Sequence, residues 1–279
     1  MSSLLKRTLT SVALVVVLVG GFLLHPLCCA ALMAFALAVM MTEFYRMSLG
    51  RGTHTIVRIL ATFMGVITFL LFFAIKLYNV GLHTLLPAFP LFAILLAAIE
   101  LDRDEGIERS IAQDVCFPLV YLVPSFMVSL MLLFDRAGAY TPYLFIAVMV
   151  LVWMNDVGAY LIGMSFGQKA GSRKLSPDVS PKKSVAGLVG GAVFVLASAA
   201  GIYFTGLFKL QLWHWLVAGV LVVVFDTFGD LFESLLKRHY GLKDSGNILV
   251  GHGGFLDRFD GALLAIPVVA VFFILTGAI

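Results

Sequence analysis

Charged side chains are scarce in this chain. Asp, Glu, Lys and Arg make up 13% of its 279 residues, against 61% hydrophobic, which excludes a soluble globular domain. Cysteine is scarce as well. There are three, two of them adjacent (Cys28, Cys29) in an apolar run, so neither a disulfide framework nor a zinc-ligand spacing is present. His25, His54, His83 and His214 stand singly near the ends of apolar segments, no two at a ligand spacing. No internal repeat is visible, which counts against a two-halved transporter.

What the chain has is long apolar runs. Nine can be drawn, at about 8–24, 27–45, 56–77, 82–99, 115–134, 142–165, 185–207, 213–236 and 261–278. Each is near the length that crosses a hydrocarbon core of roughly 30 Å. The expected fold is all-α: a polytopic integral membrane protein of about nine transmembrane helices, with a polar intramembrane cavity open to the cytoplasm. Only His25-Pro26 divides the first two runs. Lys6-Arg7 ahead of the first also suits a cleaved signal peptide. The second run starts at once, however, with no small-x-small site, so a retained helical hairpin is expected. Three parts follow: 1–110 with the first four spans, 111–184 with the middle helices and a basic loop, and 185–279 with the C-terminal helices. With nine crossings, all of the 19 basic residues except Lys76, Arg136 and Lys209 fall on the side of the N-terminus. The positive-inside rule makes that side cytoplasmic and puts the C-terminus opposite. A bacterial-type inner membrane is the expected location.

The early charges read as ordinary. Glu43 and Arg46, three apart at a helix end, suit an interfacial ion pair, and Glu100 to Arg109 suits a solvated loop. The stretch from Asp226 to Asp260 is different. Val217 to Leu236 contains no proline, and Asp226, Asp230, Glu233 and Lys237 are spaced to share one helical face. Val223, Phe225, Phe228, Leu231 and Leu235 form an apolar face for lipid or a neighbouring helix. A carboxylate at the centre of a membrane helix costs about 2.5–3.5 kcal/mol. Three on one stripe therefore need water, a cation or partners. Ion pairs, such as Asp230 with Lys237 or Arg238, are one answer. Gly241 ends the helix, and Lys243-Asp244-Ser245-Gly246-Asn247 is turn-prone. Gly251-His252-Gly253-Gly254 then allows close approach of backbone N–H groups to a ligand, and Asp257, Arg258 and Asp260 follow. Acids for a hard cation, alternating with bases and amides for phosphate oxygens, suit a metal–polyphosphate site.

The sixth span carries Asn155, Asp156, Gly158 and Gly163 inside an apolar run. The acid and amide suit the wall of an intramembrane cavity or a helix-packing cluster, and the glycines allow close helix approach. The loop after it, Lys174 to Gly187, holds two Ser-Pro turns with Ser180, Lys182 and Lys183 and leads into an apolar helix. Hydroxyls and lysines at a helix start suit an anion; a plain positive-inside loop is the alternative.

Ser234-x-x-Lys237-Arg238, Lys243-Asp244-Ser245 and His252-Gly253-Gly254-x-x-Asp257-Arg258-x-Asp260 together resemble the signature of the phosphatidate cytidylyltransferases, also called CDP-diacylglycerol synthases. Asn155 to Gly187 resembles a second block of the same family. The similar blocks cover about residues 150–270, and residues 1–140 hold no comparable motif. Ala186 stands where many members have Glu or Gln, and Val250 where many have Pro; neither removes a cation or phosphate ligand. The resemblance implies transfer of a cytidylyl group from CTP to phosphatidic acid, giving CDP-diacylglycerol and pyrophosphate for phospholipid synthesis. It implies a magnesium centre, allows a second cation (potassium), and brings in a homodimer and the lipid bilayer as partners, with no nucleic acid. Carried onto this chain, Asp230 and Asp257 hold the cation with Asp260 close by. Lys237, Arg238, Lys243 and Arg258 meet the triphosphate and leaving pyrophosphate, and Ser180, Lys182 and Lys183 clamp the other phosphate. His252 bonds a phosphate or orients an aspartate. Ser234, Asp244, Gly253 and Gly254 complete the substrate site with Asn155 and Asp156. Two other readings stand beside this one: a CTP-dependent enzyme acting on a polyprenol or ether lipid, and a cation-coupled transporter using Asp156, Asp226 and Asp230.

Overall fold

A computed structural model describes residues 3–50, 54–86, 88–101, 111–169, 172–177, 179–246 and 253–279. Each of the nine apolar runs is helical. The helices are α1 (Ser3–Leu24), α2 (Pro26–Ser48), α3 (Thr55–Tyr78), α4 (Ala88–Leu101), α5 (Ile111–Ser129), α6 (Tyr143–Phe166), α7 (Val185–Phe204), α8 (Leu212–His239) and α9 (Ala262–Leu275). Short 3-10 turns cover Leu82–Leu85, Leu130–Leu133 and Leu256–Arg258. Seven segments among the described residues are long and apolar enough to cross a membrane: α2, α3, Leu82–Ile99, Ile111–Leu133, α6, α7 and α8. Val15–Leu24 and α9 are shorter apolar helices.

The outer surface is apolar, unlike that of a water-soluble protein, and the mostly apolar interior also holds charged groups. Phe63, Val120, Val193, Val224 and Phe228 are exposed, while Glu43, Asp114, Asn155, Asp226, Glu233 and Lys237 are buried. Apolar surface outside and polar groups inside is the arrangement that a hydrocarbon solvent selects. The chain is an integral membrane protein.

The break between α1 and α2 has a local cause. Pro26 occupies the first helical position, where its missing N–H costs nothing, and His25 Nδ1 accepts from the Leu27 amide at 3.1 Å. At the far end of α8, Gly241 takes φ +69°. The Leu242 amide then reaches back to the Lys237 carbonyl at 2.8 Å, a glycine cap of the kind that closes many helices.

The chain forms two compact units. One holds Met1–Leu130, Ala137–Tyr140 and Asp244–Arg258; the other holds Met131–Arg136, Thr141–Lys243 and Phe259–Ile279. The units group the chain differently from the three-part division read from the sequence. In the first unit α2 packs against α1, α3 and α5. Phe44 stacks on Phe117 at 5.3 Å, and the Tyr45 hydroxyl donates to the Val115 carbonyl at 3.0 Å. The second unit is α6–α9. A Cβ on Gly158 would come within 2.7 Å of the Gly190 carbonyl, and the reverse is equally true. Only the absence of side chains lets α6 and α7 approach this closely.

One feature departs from the all-helical expectation. The basic Ser-Pro loop is a small antiparallel hairpin of β1 (Lys174–Ser176) and β2 (Ser180–Ser184), with Lys174 opposite Ser184 and Ser176 opposite Ser180. The chain reverses between β1 and β2, and Ser184 ends β2 by capping α7, its Oγ accepting from the Gly187 amide at 3.1 Å.

Candidate active site

In the second unit α6, α7, α8 and the hairpin line a cavity of about 620 Å³. Asn155 and Asp156 line it from α6, Lys182, Lys183 and Ser184 from the hairpin, and Asp226, Thr227 and Asp230 from α8. The spacing of α8's acids does what a helix requires: residues four apart share a face, and that face turns inward. Asp226 is 5% exposed and Glu233 2%, while Phe228, on the outward face, is 58% exposed. Val223, grouped with the outward residues by sequence, is buried.

Each acid of α8 has a partner. Asn155 Nδ2 donates to Asp226 Oδ2 at 2.7 Å. Lys183 Nζ lies 2.5 Å from Asp230 Oδ2, and the Ser234 hydroxyl donates to Asp230 Oδ1 at 3.4 Å. Lys237, buried, pairs with Glu233 at 3.2 Å. The pairing anticipated for Asp230, with Lys237 or Arg238, is replaced by one with Lys183 from the hairpin. Arg238 instead turns to the helix end and donates to the Leu242 carbonyl at 3.2 Å.

Asp260 stands just ahead of α9. Its Oδ1 accepts from the Gly261 amide at 2.8 Å. Burial, and then the negative charges of Asp230 and Glu233, push its pKa well above the usual carboxylate range; the Gly261 amide and Lys237 pull in the other direction. Crowded acids in a low-dielectric setting are the situation that a bound cation relieves. The donors are all oxygens, the set a hard cation such as magnesium prefers. Among the described residues no three His, Cys, Asp or Glu side chains are already arranged around a common metal position.

The remaining residues of the signature divide between the two units. Ser180 is at the turn end of the hairpin, paired with Ser176 and away from the cavity lining, where Ser184 supplies the hydroxyl. Lys243 is exposed at the end of the second unit. Asp244, Gly253, Gly254, Asp257 and Arg258 belong to the first. There Asp257 Oδ2 accepts from the amides of Ser245 at 3.0 Å and Gly254 at 2.9 Å, and Arg258 is exposed. His252 lies outside the described residues.

Three polar residues were not among those assigned to the site by resemblance. Asp226 had a signal, its four-residue spacing from Asp230. Ser184 had a weaker one, its place before an apolar helix. Glu43 had none beyond being an acid in an apolar run. It is 1% exposed and accepts hydrogen bonds from Phe255 and Leu256, so the anticipated ion pair with Arg46 is replaced by contacts to backbone more than 200 residues away.

Fold and cavity together define a membrane-embedded helical protein with an acid-and-lysine cavity suited to phosphate chemistry. The chain belongs to the Cytidylyltransferase family, whose sequence profile matches residues 5–276. It is similar to the phosphatidate cytidylyltransferase of Bacillus subtilis (strain 168), with 46% identity over 125 residues, 45% of each chain. A second relative of that name, from Staphylococcus haemolyticus, is 41% identical over 125 residues, 45% of this chain and 46% of its own. A third, from Staphylococcus saprophyticus, is 39% identical over 147 residues, 53% of this chain and 55% of its own. The matches thus span about half the length of these relatives.

Proposed function

We propose that this protein transfers the cytidylyl group of CTP to phosphatidic acid, releasing pyrophosphate and leaving CDP-diacylglycerol in the membrane. The observation that carries the reading is the cavity in which Lys182 and Lys183 face Asp156, Asp226 and Asp230, in a chain of the Cytidylyltransferase family. An oxygen of the lipid phosphate attacks the α-phosphorus of CTP. The new P–O bond forms as the bond from the α-phosphorus to the bridging oxygen breaks, and its electron pair departs with pyrophosphate. The attacking phosphate is already ionised, so no side chain has to remove a proton. Both reactants are anions, and neutralisation and alignment therefore supply most of the acceleration. Lys182 and Lys183, which line the cavity, would meet phosphate oxygens. Lys183, now on Asp230, is the cation for which an incoming phosphate competes.

Magnesium, when bound, would draw charge from the phosphates. Asp230, with Asp226 and Asp260 in the same unit, offers the oxygen ligands for it. Asp257 is assigned a ligand role by resemblance alone, as Lys237, Arg238, Lys243 and Arg258 are assigned to the triphosphate. A second cation such as potassium belongs to the same reading, as does a homodimer.

The proposed topology has nine crossings, with the N-terminus and the mouth of the cavity in the cytoplasm and the C-terminus opposite. The distribution of lysine and arginine supports it, because CTP is cytoplasmic.

The test is product identity. Detergent-solubilised protein is given CTP labelled at the α-phosphate, magnesium, and either phosphatidic acid, a polyprenyl phosphate or an ether-linked phosphatidic acid. Label entering the lipid with phosphatidic acid, and lost in Asp230→Asn, is expected. Label entering only a different acceptor reassigns the lipid. Folded protein that labels no lipid overturns the reading.

A further inference from the structure

Glu43 lies in the inward face of α2 and is 1% exposed. An ionised carboxylate so placed is costly unless donors surround it, and here they do. Oε1 accepts from the Phe255 amide at 2.9 Å, and Oε2 from the Leu256 amide at 2.8 Å and the Ser245 hydroxyl at 3.4 Å. All four residues belong to the first compact unit.

The donors are part of the signature itself. Ser245 uses both of its polar groups here, its hydroxyl on Glu43 and its amide on Asp257 Oδ2. The Gly254 amide joins Ser245 on that same oxygen. Two carboxylates, Glu43 and Asp257, thereby hold Ser245 and the stretch Gly254–Leu256 together. Two glycines, Gly246 and the signature's Gly254, have a steric reason in this arrangement. A Cβ on Gly246 would lie 2.5 Å from Glu43 Oε1, and one on Gly254 would lie 2.9 Å from Oε2 and against the Ser245 hydroxyl. The carboxylate occupies the space beside Gly246, and at Gly254 it shares that space with the Ser245 hydroxyl and the Gly246 amide.

We propose that Glu43 is a positioning residue for the reaction. Its carboxylate fixes the backbone immediately before Asp257, and so fixes where the Asp257 carboxylate is presented. The proposal rests on the cytidylyltransferase reading for its kinetic consequence, but the clamp itself can be tested without it. Glu43 touches no substrate in this scheme; it acts through Ser245, Phe255 and Leu256. Small displacements of an aligned group are expensive: a shift of about 1 Å can cost on the order of 10²-fold in rate.

The decisive variant is Glu43→Gln. It keeps the shape but turns one acceptor into an NH₂ group that faces a backbone N–H. Each bond lost is one to a charged acceptor, so amide exchange across residues 253–258 should accelerate about 10- to 100-fold, with the rest of the chain unchanged. The kcat for cytidylyl transfer should fall about 10²-fold, while KM for CTP moves less than about 3-fold. Arg46→Ala, which removes the side chain first paired with Glu43 by sequence, should leave kcat and exchange as in the wild type. A folded Glu43→Gln protein with wild-type kcat overturns the proposal. So does one whose activity per folded molecule is intact although its melting temperature drops, because that is a structural role only. If the variant does not fold, exchange in the wild type decides: slow Phe255 and Leu256 amides support the clamp, and amides exchanging like open loop overturn it. Wild-type protein that labels no lipid, yet protects these two amides, rejects the proposed reaction and leaves the clamp standing.

Discussion

Replacing Lys183 separates what the cavity does for catalysis from what it does for stability. Lys183 Nζ is 2.5 Å from Asp230 Oδ2, with the two side chains 22% and 38% exposed. A pair so open to solvent is discounted for screening, and about 0.2–1 kcal/mol is the expected range. For a protein of this size that corresponds to no more than about 4 °C in melting temperature. Removing one preorganised donor to a developing oxyanion, by contrast, costs about 2.7–4 kcal/mol, or roughly 10²–10³ in kcat, and a lysine on the transferring phosphate is expected to act in the same way. The catalytic effect should therefore be several times the structural one. Lys183→Met is expected to lower kcat by that factor and melt within a few degrees of wild type. Initial rates of lipid labelling, with both substrates saturating, measure the first; thermal unfolding in the same detergent measures the second. Lys183→Arg keeps the charge but presents a planar fork in place of a compact ammonium, so it should recover part of the rate. A kcat for Lys183→Met within about 3-fold of wild type would refute the assignment. A fall of more than about 10 °C would show instead that the pair holds the hairpin to α8.

Other outcomes follow from single contacts. Asn155→Leu strips a buried carboxylate of its donor and should cost about 1.5–3 kcal/mol; unchanged thermal stability would show that Asp226 has another adequate partner. Gly190→Val drives a side chain into the Gly158 carbonyl and Ile162, and an overpacking penalty of about 3 kcal/mol or more should appear as aggregated or poorly expressed protein; a monodisperse variant would mean that α6 and α7 can separate. Chelation with EDTA should abolish lipid labelling and magnesium restore it, whereas labelling that survives chelation argues against a divalent cation. Asp260, with its raised pKa, keeps a proton in the folded state that the unfolded chain loses above about pH 3.9. Stability without metal should therefore fall as pH rises from there through the folded pKa. Asp260→Asn should flatten that slope, and an identical slope in the variant would contradict the electrostatic account.

The helices are a local consequence of the apolar runs. An apolar run long enough to cross hydrocarbon has one way to satisfy its own backbone, so among the described residues seven runs form helices of spanning length, while Val15–Leu24 and α9 are shorter apolar helices. The sequence by itself also determined which residues of α8 share a face, since spacing of three and four is a local property of the helix. Gly158 signalled the close contact of α6 with α7 for the same reason: a missing side chain is visible in one dimension. The hairpin at Lys174–Ser184 was hidden, because Ser-Pro punctuation marks turns without stating what pairs across them.

Tertiary structure alone decided the partners. Asp230 could have met Lys237 or Arg238 along its own helix, yet Lys183 reaches it from the hairpin, which leaves Lys237 to Glu233. Ser184 rather than Ser180 lines the cavity because the hairpin register puts Ser180 at its turn. Glu43 carries no local mark of its role; its donors lie more than 200 residues further on. A buried carboxylate must be satisfied, and that much follows from composition. Which donor satisfies it depends on which backbone packing brings within about 3 Å, and no periodicity in the chain encodes that distance.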